Sequence, residues 1–227
     1  MAYLKAFRRC VSTSLDTEMA KKIGKVSTAD LCATIGHTFK PIDLVRSQFA
    51  GFGEAERDTL AALMGENDER GKSGYELTEL FFTWFAANRP LFTIEGPRGA
   101  GPDVELSTLF PAFDGSFPCD FVIRQAATRK VRAIGFARYD ASRGGAQSDD
   151  RTGGNSDKVF KARKFCEISG EDFRVIFLAD GPGLAHNDTW EEACLLDGAW
   201  DDNVRVTTLK LAPTRLSDEW LTGGRLR

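Results

Sequence analysis

Hydrophobic and polar positions change their period along the chain, and the changes mark its elements. Over the first 65 residues apolar positions recur at helical spacing. Asp16 is placed to cap a helix running through Lys22, and Ser27 or Thr28 to cap one running through Ile35. Pro41 restarts the chain into the helical run Ile42-Asp43-Leu44-Val45-Arg46, and residues 54–64 form another helix ended by Gly65. The polar stretch 66–74 is the strongest internal boundary. It predicts an N-terminal helical part over residues 1–70 and a second part over 71–227, packed as separate lobes or as one compact domain. Residues 75–85 then read as a strongly amphipathic helix, stopped by Asn88 and Pro90.

Beyond Pro90 the period shortens. Residues 92–95, 120–124 and 131–139 read as strands, the last two joined across 125–130 as a hairpin. Glycine and charge dominate 140–155, which reads as a loop, and 156–166 reads as a helix. The unbroken apolar run 173–179 predicts a strand buried on both faces, closed by the turn Asp180-Gly181-Pro182-Gly183. A helix over 189–196, a strand over 204–211 and a short helix capped by Ser217 complete the chain. The expected fold class is α/β: a mixed central β-sheet with an antiparallel hairpin, flanked by helices, plus the N-terminal helical part.

Composition narrows the chemistry. With 42% hydrophobic and 28% charged residues the chain belongs with globular proteins. Its longest apolar stretch, Leu80-Phe81-Phe82 resumed at Trp84-Phe85-Ala86-Ala87, is far short of the roughly 20 residues that span a bilayer. The first ten residues show no secretory leader, so a cytoplasmic protein without a membrane partner is expected. The five cysteines are dispersed, and the two histidines, His37 and His186, lie near no cysteine and not near each other. Zinc sites and histidine triads lack their parts, which leaves carboxylates and basic groups. Net charge is −3, yet residues 124–164 carry 11 basic and 4 acidic side chains, a local +7 that suits a polyanionic partner.

Asp120 opens the first hairpin strand and Asp140 closes the second. Antiparallel pairing sets the start of one strand beside the end of the next, so the two carboxylates would meet. Such a pair suits Mg²⁺, and Glu76 or Glu79 on the preceding helix offers a third acid. After Asp140 comes Ala-Ser-Arg-Gly-Gly-Ala-Gln-Ser-Asp-Asp-Arg-Thr-Gly-Gly-Asn. Arginine reads guanine bidentately, Gln and Asn read adenine, and aspartate accepts from cytosine. Arg143, Gln147, Asp149, Arg151, Asn155 and Lys158 are the candidate DNA contacts, with Arg143 and Gln147 at base edges and Arg151 or Lys158 at phosphate.

The order of these features resembles type II restriction endonucleases of the PD-(D/E)XK nuclease superfamily, over roughly residues 70–222. It comprises the Gly-Tyr-Glu-x-x-Glu helix, the strand with Asp120, the strand ending Ala-Arg-Tyr-Asp, the Arg-Gly-Gly-x-Gln-x-Asp-Asp-Arg segment, the strand and turn Phe177–Gly183, and Trp190. The resemblance implies a Mg²⁺-dependent homodimer that cuts both strands of a short double-stranded DNA site, with Asp120, Asp140 and Glu76 as metal ligands. The family lysine, two residues past the second acid, is here Ser142; Arg138 or Lys158 would supply the positive charge. The literal Pro102-Asp103 pair, with Glu105 beside it, is a rival source of ligands. Two other readings stay open: a non-catalytic, sequence-specific DNA-binding protein, and a nucleotide- or sugar-phosphate-processing α/β enzyme with the 180–183 turn as its ligand loop.

Overall fold

The computed structural model describes residues 2–12, 15, 25–68, 70–140, 147–185 and 189–223. The chain divides into two compact units, Met1–Gly71 and Lys72–Arg227.

The first unit is helical, with α1 (Ala2–Val11), α2 (Thr28–Ile35), α3 (Ile42–Ala50) and α4 (Glu54–Asp68). Ser27 begins α2 with a reciprocal capping box: its Oγ accepts from the Asp30 amide, and the Asp30 carboxylate accepts from the Ser27 amide. Val11, Leu15, Leu31 and Val45 are buried, as is Arg8, which donates to the Val26 carbonyl and to Thr28 Oγ1. The helix expected over 16–22 lies outside the described residues.

The second unit begins on α5 (Arg70–Asn88). The division between the two units falls within the polar stretch 66–74, which takes in the end of α4 and the start of α5. Strands β1 (Phe92–Glu95), β2 (Val104–Glu105), β3 (Pro118–Cys119), β4 (Phe121–Gln125) and β5 (Val131–Tyr139) follow, with a helical turn α6 (Leu106–Leu109) after β2. Helix α7 (Gln147–Ser169) crosses to β6 (Arg174–Asp180), and α8 (Thr189–Cys194) with the turn α9 (Ala199–Asp202) leads to β7 (Val204–Thr207). Short helices α10 (Ala212–Arg215) and α11 (Asp218–Thr222) close it. Thr208–Leu211, expected as strand, turns instead toward α10.

The main sheet has the order β1-β4-β5-β6-β7, antiparallel from β1 through β5 and parallel from β5 through β7. The mixed α/β class and its leading antiparallel hairpin are as the pattern predicted. On one face α5 lays down Leu77, Phe81 and Phe85, spaced four apart, with Phe82 beside them, against Phe121, Ile176, Leu178 and Trp220. The aromatic stretch of α5 thus fills the unit's own core. On the other face Val159, Ala162 and Phe165 of α7 cover Ile134, Phe136, Val175 and Phe177. With Val175, Ile176, Phe177 and Leu178 all buried, β6 is the two-sided strand its apolar run predicted.

Residues 147–155, expected as loop, form the first turns of α7. Gly153 and Gly154 each lower helix propensity by about 1 kcal/mol relative to alanine, which hides the helix from pattern reading.

Candidate functional site

The β4–β5 pairing sets the position of Asp120. Phe121 is registered opposite Gly135, and the Asp120 amide donates to the Gly135 carbonyl at 2.9 Å. Phe121 turns its ring into the α5 face, so Asp120 one residue earlier falls on the α7 face. There its carboxylate accepts from the Ala137 amide at 2.7 Å. Asp140 stands at the other end of the geometry, just past β5. Its amide donates to the Asp180 carbonyl and its own carbonyl accepts from the Gly183 amide, both at 2.7 Å. Its buried side chain is ion-paired to Arg138 Nε at 2.9 Å.

A glycine backs each acid. A Cβ on Gly96 would lie 2.4 Å from the Asp120 carbonyl oxygen, and one on Gly181 would lie 2.5 Å from that of Asp140. Gly181 also has φ +113°, a conformation side chains disfavour. The 180–183 turn is thus a backbone cushion for Asp140. Asp180 is itself committed, one carboxylate oxygen accepting from Gly181 N–H and the other from Leu209 N–H.

Asp120, Asp140, Arg138, Asn155 and Lys158 line one cavity of about 610 Å³, between the C-terminal ends of β5 and β6 and the helices α7 and α8. Lys158, half-buried on α7, holds its ammonium 3.9 Å from the centre of the Phe136 ring. Burial pulls the Lys158 ammonium below its ordinary range, and the negative charge of Asp120 opposes this. Burial pushes the Asp120 carboxyl above the usual carboxylate range, with Asp103 adding to the push and the Ala137 amide and Lys158 resisting it. The neighbouring Cys119 thiol is pushed up to about 12, mainly by burial, so it is inert as a nucleophile.

No known protein family, no curated protein and no solved structure matches this chain.

Five of the residues singled out from sequence therefore meet. Others do not. Glu76 is exposed on α5, the helix that covers the opposite sheet face, and is not among the lining residues. Glu79 pairs with Arg98. Glu105 accepts from the Phe117 amide and from Ser116 Oγ, a structural tie across the β2–β3 ribbon. Ser142 and Arg143 lie outside the described residues; for Gln147, Asp149 and Arg151 only the helical backbone is described. Sequence reasoning missed Thr189 and Glu192 of α8, which form the far wall of the cavity. They lie some fifty residues beyond Asp140, with no motif joining them to it. The basic block is partly neutralised: Arg124 and Arg129 pair with Glu95, Lys161 with Asp157 and Arg163 with Glu167.

The raised Asp120 carboxyl makes stability depend on pH. A carboxyl whose folded-state pKa lies above its unfolded value favours the fold below about pH 4 and loses that advantage as pH rises through the folded value. Asp120→Asn keeps an acceptor for the Ala137 amide and carries no charge. It is expected to raise the melting temperature at pH 8, with the gain vanishing near pH 4. Paired thermal melts across that range check this; a gain that does not change with pH would refute it.

Proposed function

We propose that the protein is a site-specific, Mg²⁺-dependent endonuclease that hydrolyses phosphodiester bonds on both strands of DNA, in the manner of type II restriction enzymes. One observation carries the reading: two hairpin aspartates, an arginine and a lysine line one cavity, directly before the Arg/Gln/Asn-rich segment that starts α7. The order of antiparallel and parallel strands supports it as the scaffold the sequence resemblance implied.

The donor set fits Mg²⁺. Among the described residues no group of three His, Cys, Asp or Glu side chains is close enough to hold a metal. Asp120 and Asp140 are hard oxygen donors, and Mg²⁺ accepts one or two carboxylates while keeping several waters or phosphate oxygens. When bound there, the ion would supply positive charge against the phosphoryl oxygens. The chain's own residues do the rest. Ala137 N–H and the β4–β5 register fix Asp120, and Arg138 orients Asp140. Lys158 on α7, whose ammonium feels the Asp120 charge, is our candidate for the lysine that the family pattern carries at position 142. Its half-buried ammonium is suited to hold and polarise an attacking water or a phosphate oxygen. Two copies about a two-fold axis would present one site to each strand, so the active species is a homodimer.

Plasmid DNA incubated with the protein will be cut into discrete fragments in Mg²⁺ and left intact in EDTA, and sequencing the ends will define the site. DNA binding without cutting in any divalent cation would favour the non-catalytic reading. Lys158→Met should lower the cleavage rate about 10²–10³-fold, the scale of losing one electrostatic group, while duplex affinity falls far less. Lys158→Arg should recover part of the rate. Equal loss of binding and cutting would make Lys158 a phosphate contact only.

A further inference from the structure

The cavity is larger than the chemistry requires. A phosphate and its ions need only the part that Asp120, Arg138, Asp140 and Lys158 line. The whole space, about 610 Å³ with that part included, falls within the roughly 300–1,000 Å³ of sites that enclose a small organic ligand. The interior is apolar: Phe136 and Phe177 are paired across β5 and β6, and Leu184, Ala193, Leu196 and Val206 surround them. The two phenylalanine rings are stacked, 5.4 Å between centroids and 21° between planes.

Such an interior repels a hydrated phosphate and accepts a flat aromatic ring. A base still paired and stacked in a duplex cannot enter a recess of this kind, but one rotated out of the helix can. On α8, Thr189 and Glu192 line the same space, a hydroxyl beside an acceptor-only carboxylate. A carboxylate in that place matches the exocyclic amine of a base.

We infer that the cavity is a pocket for a single nucleobase extruded from the DNA, held between the apolar ends of β5, β6 and β7 and the α8 wall while its backbone phosphate lies at Asp120 and Lys158. The inference rests on the nuclease reading and goes beyond it. Extrusion costs a few kcal/mol of stacking and pairing, less where the base is already unpaired. The apolar recess returns part of that cost, and only a sequence whose base fits can collect it.

The test uses the whole protein and duplexes carrying the mapped cleavage sequence, each with 2-aminopurine at one position, bound in Ca²⁺ in place of Mg²⁺. Fluorescence at one position per strand should rise about fivefold or more on binding, and the other positions should stay quenched. A mismatch at that same position should tighten binding, where mismatches elsewhere weaken it. Ala193→Phe, which fills the recess, should abolish the signal. Tight binding and cleavage with every position quenched, and no mismatch that tightens binding, would overturn the extrusion pocket and leave the nuclease standing. Absence of both cutting and binding would overturn the nuclease, and the pocket with it. The wild-type fluorescence decides the matter even if Ala193→Phe fails to fold.

Discussion

Asp120→Ala will fold, bind its DNA, and cut it slower by several orders of magnitude. The side chain contributes one backbone contact, the hydrogen bond from Ala137, and its carboxyl is held above the usual range because burial disfavours the charge. Removing it therefore relieves an electrostatic penalty while deleting a donor that the proposed reaction requires. Single-turnover cleavage in Mg²⁺ should drop at least about 10³-fold, against a thermal midpoint at neutral pH no lower than wild type. Binding measured without divalent cation should be unchanged or tighter, since one negative group near the phosphate is gone. Asp103→Ala, which influences Asp120 only through its charge, should reduce cleavage much less. A near wild-type rate for Asp120→Ala, or a dead Asp103→Ala, would move the site onto the Pro102-Asp103 pair.

Gly135→Ala will be the most damaging single methyl in the fold. A Cβ there would come within 1.9 Å of Cζ of Phe121, which is wholly buried between Phe81 and Phe82. The ring cannot retreat into a core already filled by α5, so the β4–β5 register or the helix must shift. We expect a loss of about 3 kcal/mol, at the upper end for overpacking and a large part of a domain's total stability. For a unit of this size that corresponds to a fall of about 6–12 °C in melting temperature. Trimming the ring should rescue it: Phe121→Leu with Gly135→Ala should be more stable than the sum of the two changes predicts. Strict additivity in denaturant melts would mean that the two positions do not share one space.

These two residues show how far the chain could be read before its structure. Strands β1 and β5 match the pattern end for end, and β6 matches within one residue, because alternation and an unbroken apolar run are local signals. Asp120 was legible for the same reason, being fixed by the hairpin, and Arg138 and Asp140 followed from the end of β5, although β6 and the 180–183 turn are what hold them. Glu76 misled because helical spacing says which residues share a face but not which sheet face the helix will cover. Leu77, Phe81 and Phe85 turned α5 to the side opposite the cavity. The beginning of α7 was hidden by its glycines, and with it the step that carries Lys158 over Phe136. Thr189 and Glu192 depend on how β6 returns to the surface, a long-range fact with no local trace.

The change from antiparallel to parallel pairing at β5 also sets an order of assembly. The hairpin of β4 and β5 closes a turn of a few residues, whereas β5 can meet β6 only after the whole of α7 has been traversed. Short loops close fast and long-range parallel pairings late. During folding, Asp120 is in place first; Asp140, whose amide and carbonyl bind Asp180 and Gly183, arrives with Lys158 and the α8 wall only when the crossover docks. A newly made chain thus completes the cavity only as its last strands lock.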